Sequence, residues 1–369
     1  MATAQVLLSD AASPADHSGL NTTATSSSSS SSSVGNGTAS AAGGGVRQHG
    51  EFNLSVLGGG HPHFVPHHDS EYERQQQQQQ QQHEEQQQQQ HDIHDQQQLR
   101  AMLAASTSLL VSTGNLLSPA LSRRGDVAAP RNTVQEVLLA LSLAFQDATS
   151  SVRAAAVSVQ RQSDGLVHVA RSPSPASPAS DCAGSCGEAV TTKAKLFVLD
   201  DISEAELIDA VAQVRNELAL ERIDSFILAP QFDSDAANRA STDRLWHAAE
   251  SLYTAGVLGS IGVTNFDSAD LSSFVSTAQI SPSVNQISTG KFSQPLAQLA
   301  KQHNIALLSN PDAEIPILSS AALDSVIGSY VDPSGSSQLR PRWLVRYTTE
   351  IKCRSIAAHR GYILRADRV

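Results

Sequence analysis

Residues 245–287 read LWHAAESLYTAGVLGSIGVTNFDSADLSSFVSTAQISPSVNQI, and this stretch decides the fold class. Two short apolar runs, 260–263 and 283–287, alternate with two amphipathic segments, 242–255 and 268–277, and Asp267 caps the second of these segments. Such alternation is typical of βα units around a parallel sheet. The stretch therefore predicts an α/β protein.

The same alternation continues on both sides of this stretch. Further strands are predicted at 166–170, 195–199, 223–228, 305–308 and 355–358. Further helices are predicted from the capping boxes Thr133/Glu136 and Ser203/Glu206, and over 294–303, 321–329 and 342–352. Repeated βα units either open into a doubly wound sheet or close into an eight-stranded barrel. No glycine-rich dinucleotide fingerprint follows any of these strands, which favours a TIM-like (β/α)8 barrel.

Composition divides the chain into two parts. Residues 1–98 contain runs of serine, glycine and glutamine, with too little apolar sequence to offset the entropy of ordering, so we expect this segment to be disordered. Residues 99–369 have regular apolar patterns and are long enough for one large barrel domain. A Ser/Pro-rich stretch at 172–187 predicts a surface loop inserted into that domain.

Charge and cysteine content exclude several classes of function. The net charge of −11 opposes binding to nucleic acid or to an anionic membrane surface, and no run is apolar enough to span a bilayer. A cytoplasmic protein is expected. Cys182 and Cys186 are interpreted as an exposed loop pair, with a zinc or redox role as the alternative. No metal site is predicted, although the histidines near the amino terminus can bind metal adventitiously.

Two motifs in the opening stretch resemble a known family. Residues 261–266, IGVTNF, and residues 282–286, PSVNQ, are similar in order and spacing to the IGVSNF and PxVNQ strands of aldo-keto reductases. This resemblance implies a barrel of the aldo-keto reductase type.

Within that superfamily, four segments resemble the regulatory subunits of glutamate-cysteine ligase. They are STGNLL at 112–117, AKLFVLDD at 194–201, IDSFILAP at 223–230 and the carboxyl end at 341–369. The resemblance implies a heterodimer with the catalytic subunit. In that complex the regulatory subunit improves the use of glutamate and relieves feedback inhibition by glutathione.

The residues that an active reductase would need are missing from their expected positions. The family implies a tyrosine that donates a proton, a lysine that lowers the pKa of that tyrosine, and a histidine that orients the substrate. No tyrosine occurs between Ala101 and Lys195, the strand expected to carry the lysine ends in Asp200 and Asp201, and Ala229 stands in place of the histidine. We therefore expect a non-catalytic protein, with a working reductase or a scaffold for another partner as the alternatives.

Cofactor binding is not expected. Thr264, Asn265 and Gln286 match positions that hold the nicotinamide in active relatives, which suggests a vestigial pocket, but we favour the interpretation that these polar side chains simply cap strand ends. The chain ends nine residues after Arg360, without the basic motif and helix that grip the adenosine phosphate in active relatives.

Four residues near the carboxyl end are candidates for a partner interface. Trp343, Arg346 and Tyr347 recur at spacings of three and four on the predicted helix 342–352, which suits an interface hot spot. Core packing is the alternative for Trp343. Cys353 follows, either as half of an intersubunit disulfide or as a small apolar residue at a helix end.

Overall fold

The computed structural model describes residues 68–118, 130, 132–150, 157–171, 190–230, 236–310, 312, 318–332, 334–335, 338–352 and 356–369. The predicted Ser/Pro-rich loop at 172–187, most of the predicted disordered segment, and all three cysteines, Cys182, Cys186 and Cys353, lie outside these residues. Two compact units divide the chain, a small one of residues 7–83 and a large one that includes residues 84–369.

Helices and strands alternate through the large unit. The helices are α1 (His68–Ala104), which begins in the small unit, α2 (Thr133–Ala148), α3 (Glu204–Leu218), α4 (Ala236–Thr254), α5 (Ser268–Thr277), α6 (Gln294–Gln302), α7 (Ser320–Leu323) and α8 (Ser329–Val331), with a π-helical turn at Asp324–Gly328. The strands are β1 (Ser108–Ser112), β2 (Val157–Arg161), β3 (Leu166–Arg171), β4 (Val190–Val198), β5 (Ser225–Ala229), β6 (Ile261–Thr264), β7 (Val284–Ile287), β8 (Ala306–Ser309), β9 (Leu339–Ile351) and β10 (Ile356–Arg368).

All ten strands form one mixed sheet in the order β2-β3-β1-β10-β9-β4-β5-β6-β7-β8. The run from β4 to β8 is parallel and connected by helices, which confirms the α/β class and the predicted βα units. The arrangement differs from eight parallel strands because the long hairpin β9–β10 lies between β4 and β1 and pairs antiparallel with both. Among the described residues no pairing joins β8 to β2.

Alternate side chains of the central strands bury two separate cores, one on each face of the sheet. On one face, Leu196 and Val345 pack with the apolar sides of α3 to α6. On the other face, Leu344 and Leu364 pack with α2 and with the segment that contains α7 and α8. Helices therefore cover both faces, and each central strand is apolar on both sides.

Local sequence signals account for the helix starts. The predicted capping box at the start of α3 is present, because Ser203 and Glu206 exchange both of its hydrogen bonds. Asp267 caps α5 by accepting from two backbone N–H groups, as predicted. Helix α2 begins at Thr133 as predicted, but its capping side chain is Asn132.

The helix predicted over 342–352 is wrong, because these residues belong to β9. Trp343, Val345 and Tyr347 alternate with Leu344 and Arg346, which is also the period of a strand. Pairing with β4 on one side and β10 on the other decides between the two patterns. These contacts are distant in the sequence, so helical periodicity alone could not exclude them.

Residues 68–98 belong to the segment predicted to be disordered, but they form most of helix α1. All side chains from Arg74 to His91 are exposed, so burial of side chains contributes little to this part of the helix. Glutamine has a good intrinsic helix propensity, which supplies a local reason for the conformation. Leu103, near the end of α1, is fully buried in the second core.

Candidate functional site

Lys195 is the centre of a polar cluster inside the apolar sheet. Its neighbours Ala194 and Leu196 point to the core under α3, so the alternation of β4 directs Lys195 to the opposite face. The residue is only 4% exposed. Burial lowers the pKa of Lys195 to about 8, and the nearby charge of Arg346 adds to this effect, while Asp312 opposes it.

The ammonium group of Lys195 has three N–H donors, and each has an acceptor within the protein. Nζ donates to Asp312 Oδ2 at 2.6 Å, to Asn310 Oδ1 at 2.9 Å and to Gln286 Oε1 at 3.0 Å. Asp200 and Asp201, which stand where the family's lysine is expected, lie beyond the end of β4, whereas Lys195 lies within the strand.

Asp312 is the anion of the cluster. Arg346 contacts both of its carboxylate oxygens, with Nη1–Oδ1 at 2.5 Å and Nη2–Oδ2 at 3.0 Å, and Thr133 Oγ1 donates to Oδ1 at 2.9 Å. Burial alone would raise the pKa of Asp312, but the charges and hydrogen bonds of Arg346 and Lys195 outweigh it and lower the pKa to about 2. The carboxylate is thus ionised and fully hydrogen-bonded.

The pKa values of Lys195 and Arg346 shift in opposite directions, although both cations share the carboxylate of Asp312. Burial tends to lower the pKa of Arg346 also, but its bidentate contact with Asp312 raises it above the usual value. Lys195 makes a single contact with Asp312 and is repelled by Arg346. The effect of burial is therefore larger than that of Asp312, and the pKa of Lys195 is lowered. Lys195 is therefore the group in the cluster that gives up a proton most easily.

The bond between Lys195 and Gln286 spans several strands. Lys195 is on β4 and Gln286 is on β7, which are three strands apart in the sheet order. The backbones of such strands are about 14 Å apart in a flat sheet. The contact at 3.0 Å therefore depends on the length of both side chains, which lean towards each other across the two intervening strands.

Thr264, Asn265 and Gln286, the residues predicted as a vestigial nicotinamide pocket, lie together beside Lys195. Thr264 Oγ1 donates to the backbone oxygen of Gln286 at 2.9 Å, and Asn310 Nδ2 donates to Thr264 Oγ1 at 3.0 Å and to Asn265 Oδ1 at 3.3 Å. Asn265 adopts the left-handed conformation with φ of 63°, which asparagine tolerates better than most residues. Their polar groups thus bind one another at the strand ends.

The predicted interface residues have other positions. Trp343 and Tyr347 are 0% and 1% exposed and pack in the core under α3, so neither side chain is available on the surface of this chain. Arg346 lies in the polar cluster with Asp312. The alternative explanation for Trp343, core packing, is the one that the structure supports.

Sequence reasoning missed a tyrosine near the cluster. Tyr362, on β10, is paired in register with Arg346 and is fully buried. Its hydroxyl donates to Glu136 Oε1 at 3.0 Å, and burial together with the charge of Glu136 raises its pKa above the ordinary value. A raised pKa is the opposite of the activation that a tyrosine acid needs.

A second buried tyrosine lies on the other face of the sheet. Tyr347 Oη donates to Glu217 Oε1 at 3.2 Å, and burial followed by the charge of Glu217 raises the pKa of the phenol well above its usual value. Gly361 leaves room for this hydroxyl, because a Cβ at that position would overlap Tyr347 Oη. Tyr347 is therefore a structural residue.

Among the described residues, no group of His, Cys, Asp or Glu is arranged to hold a metal ion. Within the same residues, no helix has the length and hydrophobicity needed to cross a membrane.

Comparison with known proteins shows which protein family a part of this chain matches. Residues 188–311 match the model of the aldo/keto reductase family, a range that runs from β4 to β8 and contains Lys195, Gln286 and Asn310. Asp312 and Arg346 lie outside it. The chain therefore carries an aldo/keto reductase domain match in which two of the cluster's three charged residues come from elsewhere.

The similar proteins are mostly regulatory subunits of one enzyme. The human glutamate–cysteine ligase regulatory subunit is 29% identical over 187 residues, which cover 49% of this chain and 68% of that protein. A putative glutamate–cysteine ligase regulatory subunit of Schizosaccharomyces pombe is 27% identical over 33% of this chain and 42% of its own length. An NADPH-dependent alpha-keto amide reductase of Saccharomyces cerevisiae is 31% identical over 23% of this chain and 28% of its own length.

Solved structures of aldo-keto reductases resemble only part of the chain. The enzyme MGS-M4 from a deep-sea metagenome library is 26% identical, with a TM-score of 0.29, over 32% of this chain and 42% of that chain. The Bombyx mori aldo-keto reductase in complex with NADP is 23% identical, with a TM-score of 0.27, over 31% of this chain and 39% of that chain. This chain thus spans less than half the length of each of these two structures.

Proposed function

We propose that this protein is a regulatory subunit of glutamate–cysteine ligase, which acts in glutathione synthesis by forming a heterodimer with the catalytic subunit in the cytoplasm. The observation that carries this proposal is the 29% identity over 187 residues to the human regulatory subunit. The raised pKa of Tyr362, caused by burial and by the charge of Glu136, supports a non-catalytic role.

In the proposed complex, the protein lowers the apparent Michaelis constant of the catalytic subunit for glutamate and weakens its inhibition by glutathione. Such an effect requires the regulator to bind the active form of its partner more tightly than the inhibited form, since equal affinity would shift nothing. Coupling free energies of this kind are about 1 to 3 kcal/mol, which corresponds to a change of roughly five- to 150-fold.

The direct test titrates the purified chain into the catalytic subunit of the same species. We expect the Michaelis constant for glutamate to fall, and the glutathione concentration that halves activity to rise, up to a one-to-one ratio and no further. An unrelated protein at equal concentration is the control. Unchanged kinetics in a complex that gel filtration shows to have formed would refute the regulatory role, whereas failure to associate would favour a scaffold for another partner.

A working reductase is the second candidate, favoured by the buried Lys195 and by the similarity to the yeast NADPH-dependent alpha-keto amide reductase. Against it stands the raised pKa of Tyr362, whose hydroxyl donates to Glu136. We expect no NADPH oxidation above background with aldehydes, ketones or α-keto amides. A turnover that disappears in Lys195→Met would establish the reductase, whereas one that persists in Lys195→Met would indicate a contaminating enzyme.

A further inference from the structure

The carboxylate of Asp312 lies inside a set of donors that all come from distant parts of the chain. Arg346 on β9 donates twice, Lys195 on β4 donates once and Thr133 at the start of α2 donates once. The side chains of Asp312 and Lys195 are 1% and 5% exposed. Four donors around one buried carboxylate, with a planar guanidinium fork among them, form the geometry by which proteins recognise carboxylate anions.

Other contacts hold these donors in place without Asp312. Lys195 also donates to Gln286 and Asn310, so two of its three hydrogen bonds are independent of the carboxylate. The ring of Phe197 lies beneath both cations, with Lys195 Nζ at 5.3 Å and the guanidinium carbon of Arg346 at 5.8 Å from its centroid. The two cations thus form a preorganised pair whose positive charge exceeds that of the single anion.

We propose that Arg346, Lys195 and Thr133 form a binding site for a small carboxylate anion, which the chain itself fills with Asp312. A free carboxylate of matching size binds there when the side chain of Asp312 is removed. In the wild-type protein the tethered carboxylate excludes it. The site is independent of the proposed regulatory function, because all of its groups lie within this chain.

The size of the ligand follows from the atoms removed. Asp312→Ala keeps Cβ and deletes only the carboxylate, which has the atoms of formate. Acetate carries an additional methyl group that would overlap the retained Cβ, and propionate is larger again. We therefore expect formate to stabilise Asp312→Ala more than acetate does, and acetate more than propionate.

The experiment measures the melting temperature of Asp312→Ala, followed by circular dichroism, in sodium formate, acetate, propionate or chloride at equal ionic strength. At a formate concentration about tenfold above its dissociation constant, we expect the melting temperature to rise by roughly 3 °C or more over chloride. Wild-type protein and Glu350→Ala, which breaks the exposed pair with Lys193, should show equal melting temperatures in all four salts. Arg346→Gln combined with Asp312→Ala should abolish the response to formate.

Two outcomes would overturn the proposal. One is an equal melting temperature for Asp312→Ala in formate and chloride. The other is an equal response to formate in wild-type protein or Glu350→Ala, which would identify a general salt effect. If Asp312→Ala does not fold in chloride, its refolding yield is compared between the two salts, where recovery in formate alone supports the site and failure in both contradicts it.

Discussion

Neutralising Asp312 should destabilise the protein far more than neutralising a surface carboxylate in an ion pair of equal length. Asp312→Asn keeps the shape of the side chain and removes its charge. The pair between Lys195 and Asp312 has an N–O distance of 2.6 Å and is almost fully buried. The pair between Lys193 and Glu350 has the same distance, but its side chains are 48% and 31% exposed, so Glu350→Gln is the matched control.

The magnitude follows from the ionisation of the cluster. A pKa of about 2, against the ordinary 3.8, means that the folded state favours the Asp312 carboxylate by about 2 kcal/mol. Asp312→Asn loses this contribution and leaves the buried Lys195 and the partly exposed Arg346 without a counter-ion, and breaking a buried ion pair costs about 3 to 5 kcal/mol. Lys195 can escape by losing its proton, since its pKa is already about 8, and this limits the cost to about 5 kcal/mol. An exposed pair such as Lys193–Glu350 contributes about 0 to 1 kcal/mol.

Urea unfolding at pH 7 measures the difference in stability between Asp312→Asn and Glu350→Gln. Trp246 and Trp343 are both buried, so their fluorescence reports unfolding. The stability contributed by the lowered pKa of Asp312 is present above about pH 4 and is lost as the pH falls towards 2. Asp312→Asn should therefore lose less stability than the wild type between pH 4 and 2. A loss in Asp312→Asn within about 1 kcal/mol of that in Glu350→Gln would refute this account of the cluster.

Three further predictions concern the rest of the fold. Gly361→Ala should lower the free energy of unfolding in urea by about 1 to 3 kcal/mol, because the added Cβ would overlap the hydroxyl of Tyr347. Gly290 has open space around it, so the control Gly290→Ala should change stability by about 0.5 kcal/mol or less. Trp343→Ala should lower the free energy of unfolding, followed by circular dichroism, by about 3 to 5 kcal/mol, because Trp343 is buried in the core. A loss of partner binding without any loss of stability would instead support the prediction that Trp343 lies at the interface. Deleting residues 1–98 should leave the thermal transition nearly unchanged, since the side chains from Arg74 to His91 are exposed, and a large fall in melting temperature would contradict the predicted domain boundary.

Local signals predicted the parallel part of the sheet well and the antiparallel part poorly. Helix α5 has the predicted bounds because Asp267 caps it and its apolar residues have one period. Strand β9 was mistaken for a helix because Trp343, Arg346 and Tyr347 fit a helical spacing as well as an alternating one. Only the registers with β4 and β10 separate the two, and these are contacts over long distances in the sequence.

The site was only partly predictable for the same reason. Thr264, Asn265 and Gln286 were found because they belong to motifs of contiguous residues. Asp312 gave no such signal, because it lies after β8 in no recognisable motif and contacts Lys195 from 117 positions away. The strand order that brings these residues together is a property of the whole sheet.

The identity of a residue at a motif position does not decide its chemistry; its hydrogen bonds do. A lysine lowers the pKa of a nearby phenol when its ammonium group lies close enough to stabilise the phenolate. The ammonium group of Lys195 donates to Asp312, Asn310 and Gln286, and its charge is paired with that of Asp312. The pKa of Tyr362 is raised by burial and then by the charge of Glu136, to which its hydroxyl donates, and these effects outweigh the opposite effect of Arg346. The hydrogen bonds of Lys195 and Tyr362 thus hold β4 and β10 to neighbouring parts of the fold.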